Sequence, residues 1–160
     1  MGASGIETFY RDEITHMVAG PRLMVCAWYD APDMTQIRQL RRINEVVRNR
    51  IGDDDVVYCN VVVSGTPFFP GDVREEITAI SRDFGHRGLA QAHLILLEGF
   101  AGTAVRAFLS TVNLMSRAQV PMKVFGAREP TEAWLLEKLR AVHPSTGPES
   151  LTPAFDAVIR

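Results

Sequence analysis

The sequence predicts an α/β fold: a mostly parallel sheet of about five strands with one antiparallel edge strand, covered by about four helices. Three observations predict it. The runs Val56–Val63, Ala92–Leu97 and Leu23–Trp28 are apolar on both faces, as strands buried between two layers must be. Segments with apolar residues at helical spacing alternate with these runs. The first two β-prone stretches flank Ala19-Gly20-Pro21-Arg22, the signature of a hairpin.

Each element follows in order. Residues 1–11 carry no periodic pattern and are expected as a flexible lead-in. Ile14–Val18 and Leu23–Trp28 form the hairpin. Asp33 opens a helix with Gln36 three residues on, the spacing of a capping box. Met34, Ile37, Leu40, Ile43, Val47 and Ile51 give that helix its buried stripe. Arg38, Arg41, Arg42, Arg48 and Arg50 mark its opposite face, and Gly52 stops it before the acidic turn Asp53-Asp54-Asp55. Val56–Val63 is a strand. Asp72 then caps a helix whose stripe is Val73, Ile77, Ile80 and Phe84. Ala92–Leu97 is the next strand, and an unusually apolar helix runs from Val105 to Met115. Met122–Phe125 is a last short strand. Pro130 fits a first helical turn, so a helix is expected over Thr131–Val142, ended by Pro144 and Gly147. Residues 144–160 form a tail with room for one amphipathic turn. With 160 residues and no internal repeat, the chain is one domain, 1–160.

Composition narrows the function class. A net charge of −2 removes the basic excess that a nucleic-acid partner requires. It equally weakens attraction to anionic membranes. No apolar run approaches the ~20 residues of a membrane span, and Met1–Glu13 lacks the basic-then-apolar order of a signal peptide. A cytoplasmic location is expected. Cys26 and Cys59 lie inside apolar strands, as reduced thiols that pack like small hydrophobes. His16, His86, His93 and His143 share no ligand spacing with each other or with the thiols, so neither a metal nor another cofactor is expected.

Three stretches together resemble the SpoIIAA-like or STAS fold of anti-sigma-factor antagonists and of the cytosolic domains of sulfate transporters. They are the opening hairpin Thr15–Tyr29, the glycine-rich helix entry Glu98-Gly99-Phe100-Ala101-Gly102, and Arg128-Glu129-Pro130-Thr131-Glu132-Ala133-Trp134-Leu135. The last resembles the acidic-Ala-Trp-Leu opening of the final helix in SpoIIAA-like proteins. The likeness runs from about Ile14 to Val142. It implies a non-enzymatic regulatory domain acting through protein–protein contact in signalling. In the antagonists a serine in the loop after the central strand is phosphorylated to abolish partner binding. The matching stretch here is Val63-Ser64-Gly65-Thr66-Pro67, without the aspartate that precedes that serine.

The candidate partner-binding or regulatory loop is therefore Ser64, Gly65, Thr66, Phe68 and Phe69. A phosphate there would gain from the following helix N-terminus and repel an acidic or apolar partner. The plainer role of Ser64 and Thr66 is to hydrogen-bond the turn backbone. Gly99, Phe100, Gly102 and Thr103 are the candidate anion or ligand contact, at another helix start. Close strand-to-helix packing explains the same glycines, and neither a P-loop nor a dinucleotide fingerprint is present. The helix Val105–Met115 either packs on the sheet or joins two copies in a homodimer.

An enzyme is not expected. Ser64 lacks a nucleophile elbow, and His93, inside an apolar strand, reads as a satisfied core residue. The alternative to a protein-binding regulator is a small-molecule module for a nucleotide or an apolar ligand. A sizeable pocket lined by Trp28, Phe68, Phe69 and Phe100 would mark it. An enzyme with an unrecognised site ranks third.

Overall fold

The computed structural model describes residues 5–52, 55–66, 69–116 and 119–159. Asp53, Asp54, Pro67 and Phe68 lie outside them. The strands are β1 (Glu7–Arg11), β2 (Thr15–Ala19), β3 (Leu23–Trp28), β4 (Val57–Val62), β5 (Ala90–Ile95) and β6 (Met122–Phe125). They pair in sequence order in one sheet, antiparallel for β1–β2 and β2–β3 and parallel from β3 to β6. The helices are α1 (Met34–Ile51), α2 (Gly71–Phe84), α3 (Gly99–Ser116), α4 (Arg128–Val142) and α5 (Thr152–Val158).

Parallel strands that advance in one direction through right-handed crossovers must carry every crossover helix on the same face. Hence α1, α2 and α3 cover one side of the sheet. Their Ile37, Ile43, Val73, Ile80 and Val105 cluster with Met24, Cys26, Trp28, Tyr58 and Ile95. α4 and α5 cover the other side, where Leu135, Leu139, Phe155 and Val158 meet Val25, Cys59, Val61 and Leu94. Strand alternation sorts β4 cleanly between the two. Val57, Cys59 and Val61 face α4 and α5, and Tyr58, Asn60 and Val62 face α1–α3. The two thiols consequently lie on opposite faces, and burial pushes both well above their ordinary range.

The α1 cap forms as its spacing predicts: Thr35 N donates to the Asp33 side chain, and Gln36 Oε1 accepts from Asp33 N. Gln36 also donates to Asp12 Oδ2 at 2.9 Å, tying the β1–β2 turn to the helix. Asp12 takes the Ile14 and Thr15 amides as well.

Five expectations are corrected. Asp72 does not cap α2: Pro70 holds the capping position without a side-chain bond, and Asp72 lies in the first turn, accepting from Val73 N. The lead-in holds a strand, because Glu7–Arg11 zips onto β2 around a bulge at Thr8–Tyr10, so the strand that runs against the others, β2, lies inside the sheet and β1, aligned with β3–β6, forms its edge. The tail holds a full helix, since α5 fills the sheet face that α4 leaves bare. α4 begins at Arg128, two residues before its proline, with Ala127 as the capping position. Arg48 leaves the arginine face: it is 6 % exposed, donating to Asn44 Oδ1 and to the Arg87 carbonyl beneath the helix layer.

Candidate functional site

The carboxyl ends of β3 and β4 open beside each other at the mouth of the helix-covered face. There Val63 N donates to the Trp28 carbonyl at 2.8 Å, and the Ser64 hydroxyl to the Tyr29 carbonyl at 2.8 Å. Thr66 N and Ala31 N both donate to Asp30 Oδ1, and those bonds hold the Asp30 carboxyl below its usual range. The loop after β4 is thus stitched to the loop after β3. Gly65 permits the approach, with φ at +104° and no room for a side chain against Asp30. A β-carbon there would overlap the Asp30 backbone and stand 2.9 Å from the Tyr29 carbonyl oxygen. Gly65→Ala is therefore expected to cost about 2–3 kcal/mol, left-handed strain and steric overlap acting together. Urea denaturation measures this, and a loss under about 0.5 kcal/mol would mean that the two loops are not docked.

Beneath this mouth lies a cavity of about 100 Å³ between the sheet and α1–α3. The helices contribute the apolar side chains of Ile37, Leu40, Ile80, Val105, Phe108 and Leu109, with Asn44, Arg48, Ser81 and Asn113 among them. Its floor is the sheet. Tyr58, Asn60, Gln91 and His93 all line it. Asn60 and His93 stand opposite each other in register on β4 and β5, and Tyr58 and Gln91 form the adjacent row. At the mouth, Phe69 stacks on Phe108 of α3 with ring centroids 4.5 Å apart.

The polar floor is unevenly satisfied. The Trp28 indole N–H donates to Asn60 Oδ1 at 2.6 Å, which fixes the amide and leaves Nδ2 as its donor. His93 is 7 % exposed, and its Nε2 lies 3.3 Å from the Gln91 amide nitrogen. With that amide donating, Nε2 is the acceptor and the neutral ring's proton resides on Nδ1. His93 Nδ1 is buried and has no partner among the described residues. Burial drives its pKa down to about 4, so the ring is neutral near pH 7. The buried Tyr58 hydroxyl is pushed well above its ordinary range by the same desolvation. His93 is accordingly a core histidine that the described residues leave incompletely bonded, which differs from the satisfied residue its strand position predicts.

The sequence-predicted residues divide in two. Ser64, Gly65 and Thr66 are exposed and border the cavity mouth, and Phe69 is half-buried in its wall. Phe68 lies outside the described residues. Trp28 lines the cavity as expected of a pocket residue, whereas Phe100 is 89 % exposed and does not reach it. At the start of α3, the Thr103 hydroxyl donates back to the Gly99 carbonyl. Gly102 is packed so closely on the Leu97 carbonyl that no β-carbon would fit. Sequence reasoning missed Tyr58, Asn60 and His93 as a group. The signal was present, since Asn60 and His93 each interrupt a strand apolar on both faces, at positions that share the sheet's helix-covered side.

Among the described residues no group of His, Cys, Asp and Glu could hold a metal, and no helix is long and apolar enough to cross a membrane. No family model matches the chain. No curated protein is similar to it. Among solved structures, an uncharacterized protein of the DUF3478 family from Shewanella loihica, described as having a SpoIIAA-like fold, superposes with a TM-score of 0.51 at 12 % identity. The match covers 82 % of this chain and 94 % of that one. The likeness is one of fold, and the fold is SpoIIAA-like.

Proposed function

We propose that this protein is a non-catalytic binding module that takes a small molecule between its sheet and the α1–α3 layer. The cavity carries the reading: it is walled largely by apolar side chains and opens at the Ser64–Thr66 loop, and its floor bears a histidine with a buried ring nitrogen that has no partner among the described residues. Few, well-placed polar groups in an apolar concavity are what a small-ligand site is built from. At about 100 Å³ the closed form takes a compact molecule, smaller than the cavities of about 150 Å³ that admit benzene. A larger ligand requires the Phe69–Phe108 stack to part. Binding rather than catalysis is favoured because the Ser64 hydroxyl is spent on the Tyr29 carbonyl, not paired with a base.

A second reading, a regulatory domain that contacts a protein partner, rests on the same edge of the sheet. Ser64, Gly65 and Thr66 are exposed there, and Phe100 presents an almost fully exposed ring. Two experiments separate the readings. Under xenon pressure, methyl NMR is expected to show saturable shifts at Ile80, Leu109 and Val112, with Val61 and Leu94 on the far face unmoved. No saturable shift would overturn the ligand reading. Native mass spectrometry of gently isolated protein then tests the second, which a co-isolated chain supports and a bare chain opposes.

A further inference from the structure

We infer that the cavity selects an uncharged, compact molecule carrying a hydrogen-bond acceptor of the carbonyl type, held by the donors of His93 and Asn60. This deepens the small-molecule reading and rests on it. The inference comes from the donors left over on residues that line the cavity. His93 offers Nδ1–H, left over once Nε2 accepts from Gln91. Asn60 offers Nδ2–H, left over once Trp28 has taken Oδ1, and that bond removes the freedom to flip the amide. The two residues are register partners on neighbouring strands, about 5 Å apart, so one acceptor atom can bridge them. The Tyr58 hydroxyl, one row away on the same face, is a third group able to donate.

Two donors on neighbouring strands of one cavity floor are complementary to an atom with two lone pairs, and a carbonyl oxygen is that atom. Charge is excluded at this position for a separate reason. The ring is neutral, so a carboxylate placed on it would lose its hydration without gaining a cation. Arg48, which also lines the cavity, is directed to the Asn44 side chain and the Arg87 carbonyl, toward the end of the sheet opposite the mouth. The Ile37, Leu40, Ile80, Val105, Phe108 and Leu109 side chains favour hydrocarbon for most of the remainder of the ligand.

Cyclopentanone and cyclopentane differ by the acceptor alone and, at about the size of benzene, both enter by parting the Phe69–Phe108 stack, so the pair is the probe. Affinities would be read from methyl shifts of Leu109 and Val112, and the ketone-to-hydrocarbon ratio compared between wild type and two variants. Comparing ratios cancels the ketone's own cost of leaving water. His93→Leu is expected to lower the ratio about tenfold, the worth of one hydrogen bond to an otherwise unpaired donor. Tyr58→Phe, which keeps the shape, is expected to lower it less. In the wild type, cyclopentanone should also shift the His93 side-chain ¹⁵N resonance of Nδ1, and cyclopentane should leave it in place. That readout needs no variant to fold. An unchanged ratio with an unmoved Nδ1 resonance would overturn the inference while leaving the binding module standing. Tighter binding of cyclopentanecarboxylate than of the ketone would overturn it too. If neither ring compound nor xenon produces a saturable shift, the cavity holds only water and the underlying reading falls with it.

Discussion

Phe155→Ala is expected to destabilise the protein by about 3–5 kcal/mol, the range for removing a large aromatic ring from a packed core. Phe155 has no solvent exposure and is among the largest fully buried side chains. It joins α5 to Leu135 and Leu139 of α4 and to the β3–β5 face beneath. The Arg128 guanidinium lies over its ring at 5.7 Å, held there by Glu132 and by Asp156 at 2.7 Å. Thr152 donates to the other Glu132 oxygen at 2.9 Å, so the start of α5 and the start of α4 are locked together. A cavity at 155 cannot close by simple collapse, because these polar contacts hold both helices in place. The control is Phe100→Ala, whose ring is 89 % exposed and whose loss should stay within about 0.5 kcal/mol. Urea denaturation of the two variants compares them directly. A loss below about 1 kcal/mol for Phe155→Ala would show that α5 is not part of the cooperative fold.

That dependence on α5 also explains what was and was not legible in the sequence. The parallel strands and α1–α3 could be read because each carries its own local pattern: runs apolar on both faces, a capping box at Asp33, stripes at helical spacing. β1 and α5 could not. Glu7-Thr8-Phe9-Tyr10-Arg11 mixes polar and aromatic residues, and it becomes a strand only because β2 offers an unpaired edge. Thr152–Val158 is a helix of under two full turns, below the length at which isolated helices persist, so its order comes from tertiary burial. The motif from Arg128 to Leu135, noted for its likeness to a family pattern, has a structural role: Arg128 and Glu132 clamp α5, and Leu135 packs beneath it. Arg48 was misassigned for a related reason. Helical spacing puts it beside exposed arginines, but its long stem reaches back under Phe84, with the guanidinium 5.8 Å from that ring. The site was half legible. Its mouth, Ser64 to Thr66, follows from the rule that ligands meet parallel sheets at the carboxyl ends of the strands. Its floor needed the register that sets Asn60 against His93.

The same histidine should make the fold acid-sensitive in a defined window. An unperturbed imidazole titrates near 6.5, whereas burial pulls His93 down to about 4. As pH falls through 6.5 the unfolded chain accepts a proton that the folded chain refuses. Stability is therefore fully present above about pH 6.5, declines toward pH 4, and stops declining once the folded ring also protonates. The whole effect is about 3 kcal/mol, of which about 2 kcal/mol should be lost between pH 7 and pH 4.5. The groups that share the cavity do not titrate in that interval: Arg48 stays charged, and Tyr58, pushed upward by burial, stays neutral. Asp30 at the mouth lies below its usual range, so its contribution is lost only at lower pH. Comparing wild type with His93→Leu isolates the residue from every other group, because they are common to both. The variant should lose about 2 kcal/mol less than wild type over that interval in urea denaturation at pH 7 and pH 4.5. Parallel pH dependences would mean that His93 gains a proton in the folded state as readily as in the unfolded one. A ring that protonates so readily would present a cation to the cavity, and an anionic ligand would then be the better match for the donors on its floor.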